Sequence, residues 1–273
     1  MNWILTLTKD NLALTKEAIR TFRAQDIGDV KILVIDNESK DSTPNFLNSQ
    51  PDLFVIFNRP WKSVAASWNQ GLNWLFNRKW ADGNTPLAPM ADYALVVNND
   101  VELRPDTYRR LVEDGGEFVT AVGTRDPSKI GKGAFPFVFY PPEPKNIRPH
   151  PDFSCFLIRR TLYHKVGAFD EHFTPAFCED GDYDLRMYKA GIRAYCLDLP
   201  FLHHGSATVK NASADEARRI CKAADRNREY FKEKWGFEIG SEKYYKALDK
   251  GGPSAEPEVE KDMATQQTPA REN

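Results

Sequence analysis

The chain has 273 residues, is 41% hydrophobic and 28% charged, and carries a formal net charge of -2. That length holds one large α/β domain with ample core, and the near-neutral balance gives no electrostatic ground for binding nucleic acid or an anionic membrane surface. Four well-spread cysteines without a Cys-x-x-Cys pair read as reduced core residues, no stretch approaches 18 apolar residues, and residues 1–10 lack the basic segment of a signal peptide, so a cytosolic protein without a transmembrane segment is expected.

Five short apolar runs, at 3–7, 32–35, 53–57, 93–97 and 118–122, predict strands buried on both faces, as in an open, mainly parallel sheet flanked by helices. Helical periods fall between them. Asn11 is placed to cap a helix bearing Leu14, Ala18 and Phe22, and Ser63 to cap another with Val64, Trp68, Leu72 and Leu75 on one face. Pro105 stands where a first-turn proline belongs, ahead of Tyr108, Leu111 and Val112. Residues 129–151, rich in Pro, Gly and aromatics, have no period and predict a long binding loop. A strand at 153–158, helices at 160–166 and from Glu179 to a stop at Gly191, and a strand at 194–197 follow. A last helix at 214–235 carries Ile220, Ala224, Phe231 and Trp235 along one stripe, with mixed charges elsewhere. Residues 251–273 are polar, with almost nothing to bury, and read as a disordered tail.

Polar residues just beyond apolar strands are the ones to examine in an α/β sheet, since ligands bind beyond the C-terminal strand ends. Three such sites stand out: Asp36-Asn37-x-Ser39-x-Asp41-x-Thr43, Asn98-Asn99-Asp100, and Glu179-Asp180-x-Asp182-x-Asp184-x-Arg186. Each alone has an ordinary structural explanation. Asp and Asn are turn and cap residues, acids favour a helix start, and Asp182 with Arg186 has the spacing of an ion pair.

Taken in order, however, these segments resemble glycosyltransferase family 2 on the GT-A fold. The resemblance runs from about residue 2 to 210 and includes Ile4 to Thr8, Asn69-x-Gly71-Leu72, Val166-Gly-Ala-Phe169-Asp170-Glu171-x-Phe173, Ala190-Gly191 and His204-Gly205-Ser206. Rhamnosyltransferase-like members look most similar. The resemblance implies one GT-A domain over residues 1–250, with a Rossmann-like nucleotide-sugar half at 1–125 and an acceptor half at 126–250. It implies inverting transfer from a nucleotide-diphospho-sugar to a glycan, lipid-linked or protein acceptor, in surface polysaccharide or glycoconjugate assembly. A divalent cation, Mn²⁺ or Mg²⁺, would sit on Asp100 and His204, with Gly205 and Ser206 favouring His204 over its neighbour His203. Asp36 would accept a hydrogen bond from the nucleobase, and Thr8, Asn69, Asn98 and Asn99 would line the donor site with Lys62 near the diphosphate. Asp180 would be the general base, supported by Glu179. Two departures are visible: Asn98 replaces the first acid of Asp-x-Asp, and Arg59-Pro-Trp61-Lys62-Ser63 stands where a glycine-rich stretch is usual. A sugar-nucleotide-binding protein without turnover is the alternative from another class. A nucleotidyltransferase is the third, but it would carry a glycine-rich signature after the first strand, which Leu7-Thr8-Lys9-Asp10-Asn11 lacks.

Overall fold

Apolar runs of four to seven residues, too short for helices and rich in β-branched side chains, pair here into one eight-stranded sheet. The computed structural model describes residues 1–77, 90–126, 151–205 and 214–249; all but the last residue of the loop expected at 129–151, the tail at 251–273 and Ser206 lie outside them. In chain order the elements are β1 (Asn2–Thr8), α1 (Leu12–Arg23), β2 (Val30–Asp36), α2 (Thr43–Asn48), β3 (Leu53–Phe57), α3 (Val64–Phe76), β4 (Tyr93–Asn98) and β5 (Val101–Glu102). There follow α4 (Thr107–Asp114), β6 (Phe118–Thr124), β7 (Cys155–Arg159), α5 (Arg160–Val166), α6 (Glu179–Lys189), β8 (Tyr195–His203), α7 (Ala214–Trp235) and α8 (Glu242–Asp249).

The strand order is β3-β2-β1-β4-β7-β6-β8-β5. β1 runs parallel to β2 and β4, β2 parallel to β3, and β6 parallel to β8. β7 enters antiparallel between β4 and β6, and β5 is antiparallel to β8. The expected parallel sheet therefore holds from β3 to β4 and becomes mixed beyond β4. Alternation along β1 splits the core: Trp3 and Leu5 face α3, α5 and α6, with Trp68, Leu72, Phe156, Phe169 and Tyr183, whereas Ile4 faces α1 and α4, with Ile19, Phe22, Tyr108 and Leu111. Gly71 lets α3 lie close on β1, since a Cβ there would stand 2.5 Å from Leu5 Cδ1. A third cluster, centred on Phe173, Leu185, Phe231 and Tyr244, joins α6 to α7 and α8.

Several expectations need correction. Ser63 caps α3 as expected, its Oγ accepting from Ala66 N at 3.1 Å, but Asn11 makes no side-chain cap on α1. The Asp41 carboxylate does that work instead, accepting from Leu12 N at 3.1 Å and from Thr43 N, in the first turn of α2, at 2.9 Å. Pro105 lies outside α4, one residue before its Asp106 cap, and its carbonyl accepts from Asp26 N. β8 runs six residues past its expected end, where Pro200, Phe201 and Leu202 pair with Val122, Gly123 and Thr124 of β6 and Leu202 and His203 pair with β5. Among the described residues no helix is long and apolar enough to cross a membrane.

Candidate active site

At the end of β2, Asp36 is 0% exposed. Its Oδ2 accepts from Arg59 Nη2 at 2.9 Å and from Ser39 N at 3.4 Å, while its Oδ1 is buried without a partner. A buried carboxylate oxygen left unpaired is costly. The rest of the Asp36-to-Thr43 segment ties loops together. Ser39 Oγ accepts from Asp10 N at 2.7 Å, and Asp10 Oδ1 accepts from Lys40 N at 2.6 Å and Asp41 N at 3.2 Å. Asn37 holds the backbone of Lys62, its Oδ1 accepting from Lys62 N at 2.8 Å and its Nδ2 donating to Lys62 O. Lys62 is thus fixed by its main chain with its side chain exposed.

Thr8, at the end of β1, is buried, and its Oγ1 lies 2.8 Å from Thr15 Oγ1 on α1. Asn99 Nδ2 donates to both hydroxyls, at 3.1 and 3.0 Å, so this amide is turned into the protein as a brace between β1 and α1. Asn69 has a similar fate. Its Nδ2 donates to Phe169 O at 2.9 Å and Glu171 Oε1 at 2.8 Å, and its Oδ1 accepts from Phe169 N at 2.8 Å. Both of its N–H donors are used inside the protein, where Asn69 staples α3 to the segment after α5.

The structure gives both members of the expected metal pair, Asp100 and His204, other side-chain neighbours. Asp100 Oδ1 lies 3.4 Å from Nε2 of His203, whereas His204 Nε2 pairs with Glu102 Oε1 at 2.8 Å. The reason is strand phase. β8 continues to His203, which stands opposite Val101 of β5 and so beside Asp100, while the next side chain points the other way. The other imidazole nitrogen of His203 meets Ser154 Oγ at 3.4 Å, an orienting contact of the kind metal-binding histidines make. The neighbouring Asp100 carboxylate raises the His203 pKa against burial. A hard carboxylate oxygen beside an imidazole nitrogen suits Mn²⁺ or Mg²⁺ with further oxygen ligands from a diphosphate or water. Among the described residues no group of three or more His, Cys, Asp or Glu could hold a metal by itself.

Ser154 links this pair to a cavity of about 540 Å³. Asn98 and Ser154 line it, joined by Asn98 N donating to Ser154 O at 3.0 Å, together with Asp152, Phe177, Glu179 and Asp180. The acids at the start of α6 sort as their spacing suggests. Asp182 is taken by Arg186 at 2.8 Å, by Lys234 at 2.7 Å and by the Trp235 indole at 3.0 Å. Glu179 is buried with Oε2 unpaired; burial, and then the negative charge of Asp180, push its pKa up. The helix dipole, expected to keep it ionised, is outweighed by desolvation. Asp180 is half-buried at the cavity wall, within reach of a ligand.

Residues 3–167 match the family model described as "Glycosyl transferase family 2". The chain belongs to glycosyl transferase family 2. Solved structures show the same fold. The mannosyltransferase PcManGT from Pyrobaculum calidifontis, in complex with GDP-Man and Mn²⁺, is 15% identical with a TM-score of 0.55, over 76% of this chain and 58% of that one. S. aureus TarS 1–349 in complex with UDP-GlcNAc is 15% identical with a TM-score of 0.52, over 87% and 74%. GalNAc-T7 with UDP, GalNAc and Mn²⁺ is 9% identical with a TM-score of 0.53, over 74% and 43%. This chain therefore spans well under two thirds of the length of some of these relatives. No curated protein matches it by sequence. The family 2 match takes in Asp36 and Asp100 and ends before α6 and β8, which carry Asp180 and His203.

Proposed function

We propose that this family 2 protein transfers a hexosyl or deoxyhexosyl group from a nucleotide-diphospho-sugar to an acceptor hydroxyl, with inversion at the anomeric carbon. The observation that carries the reading is the joining, through Ser154, of the Asp100–His203 pair to a cavity walled by Asp180. Complexes of similarly folded proteins with GDP-Man and Mn²⁺ or with UDP-GlcNAc support the donor class.

Asp36 accepts a nucleobase N–H on its unpaired Oδ1. Asp100 and His203 would hold a divalent cation, which when bound offsets the charge of the departing diphosphate. Asp180 takes the acceptor proton as the acceptor oxygen bonds to the anomeric carbon and the bond from that carbon to the diphosphate oxygen breaks on the opposite face. One base suffices for this single displacement. Glu179, kept protonated by its buried setting, orients the acceptor or the turn without adding a second negative charge. The acceptor would be a glycan, a lipid-linked sugar or a protein, in surface polysaccharide or glycoconjugate assembly, with the enzyme acting from the cytoplasm.

The test is Asp180→Asn, which is nearly isosteric. It should keep donor binding and lose at least about 10²-fold in turnover, the scale of a general base. The product should have the anomeric configuration opposite to the donor's. Near-normal turnover in this variant, or a retained configuration by NMR, would sink the reading.

A further inference from the structure

The cavity beside α6 displays a side chain that proton transfer and donor binding leave unexplained. Phe177 is 44% exposed and lines the cavity next to Glu179 and Asp180. Its φ is 83° and that of Cys178 is 74°, a left-handed conformation that side chains other than glycine adopt only against strain. The segment is nonetheless firmly held. Asn227 of α7, 4% exposed, donates from Nδ2 to Ala176 O at 2.8 Å and Phe177 O at 3.1 Å, and accepts from Thr174 N at 3.4 Å. Pro175 O accepts from Val64 N at the head of α3, at 2.9 Å. A turn pinned from two helices, strained, and holding a large aromatic ring in the open is built to present that ring.

The charge around it narrows what the ring can meet. Among the described residues that line the cavity there are three acidic side chains, Asp152, Asp180 and the buried Glu179, and no Lys, Arg or His. An anionic ligand group would be repelled and would find no cationic donor. The C–H face of a pyranose is attracted to an aromatic face, and its hydroxyls can donate to carboxylate oxygens.

We propose that Phe177 is the platform of the acceptor subsite and that this subsite takes an uncharged pyranose stacked on the ring. The assignment of the acceptor side rests on Asp180 being the base. The ring, its clamp and the surrounding charge are independent of that role.

Saturation-transfer-difference NMR tests the proposal without turnover. The probes are methyl glucopyranoside and methyl galactopyranoside, each against its methyl uronoside, on wild type, Phe177→Ala and Phe177→Tyr. The neutral glycosides should receive saturation mostly on one ring face, Phe177→Ala should cut it at least about threefold, and Phe177→Tyr should restore it. The uronosides should receive clearly less. The thermal shift given by UDP or GDP should stay as in wild type, which separates loss of the platform from misfolding. Saturation undiminished in Phe177→Ala, equal saturation of the uronosides, or none for either neutral glycoside would overturn the proposal. If the transfer assay shows normal turnover in Asp180→Asn, the base reading falls while the NMR result still decides whether Phe177 binds sugar.

Discussion

Asp100 with His203, and His204 with Glu102, are two pairings 102 or 103 residues apart in sequence that adjacent imidazoles keep separate. His203→Ala should therefore weaken Mn²⁺-dependent UDP or GDP binding by at least about tenfold, while His204→Ala changes it little. Calorimetric titrations with Mn²⁺ and with chelator would show this, and an equal loss in both variants would count against His203 as the ligand. Asp36→Ala, by removing a charge-assisted hydrogen bond to the base, should cost about 1.5–3 kcal/mol, or roughly ten- to a hundredfold in nucleotide affinity. Nucleotide bound as tightly as by wild type would place the base elsewhere. Asp36 and Asp100 draw attention by lying beyond apolar strands, but Asp and Asn are also ordinary turn and cap residues there, so the order of the motifs along the chain was needed to single them out. Asn69 was legible as a motif but not in its role, since the same spacing serves an amide touching a sugar or a carbonyl 100 residues away. The choice between His203 and His204 was illegible because the two-residue β5, which sets the phase of β8, leaves no periodic signal.

The elements around α6 show why the helices were easier to read than their work. The limits of α5 and α7 follow directly from apolar periodicity, but Asn227 on α7 looks like any polar residue of a solvated face until the turn at 174–177 is folded against it. Asn227→Ala leaves two carbonyls and one N–H without their partner, and should lower stability by about 1–3 kcal/mol in urea unfolding. Unchanged stability would mean that water replaces the amide. Asp184, 5% exposed on α6 and hydrogen-bonded to Tyr244 of α8, has its pKa pushed up to about 8, first by burial and then by the charge of Asp180. The folded state holds this proton more tightly than the unfolded chain. Its stabilising contribution is whole below about pH 4 and is lost as pH rises towards the folded value. Asp184→Asn should flatten part of the fall in melting temperature over that range, the remainder belonging to Glu179, which shifts in the same direction. An identical slope in the variant would show that the proton resides elsewhere. α8 itself went unread because eight residues bearing Tyr244 and Leu248 between charges give too short a pattern.

Across the whole molecule, the candidate site collects where β1, β2 and β4 end and where the head of α6 and the end of β8 arrive. The sheet that connects them is hydrogen-bonded from β3 to β5 without a break, so residues on both sides of position 125 share one core. This was only half legible. Apolar runs reveal strands but not which strand becomes whose neighbour, and the antiparallel entry of β7 between β4 and β6 depends on contacts far apart in the chain. That entry has a consequence for synthesis, which proceeds from the N-terminus. β1, β2, β3 and β4 can pair as they emerge, but β6 bonds to β7 and β8, neither of which exists until at least some thirty residues later. Until then Phe118, Val119 and Ala121 have no strand beside them, and an unpaired apolar strand invites association with other chains. A fragment ending at residue 126 should therefore emerge insoluble despite containing β1 to β6, and slowing translation just after β6 should reduce the yield of the full chain more than slowing it after β7.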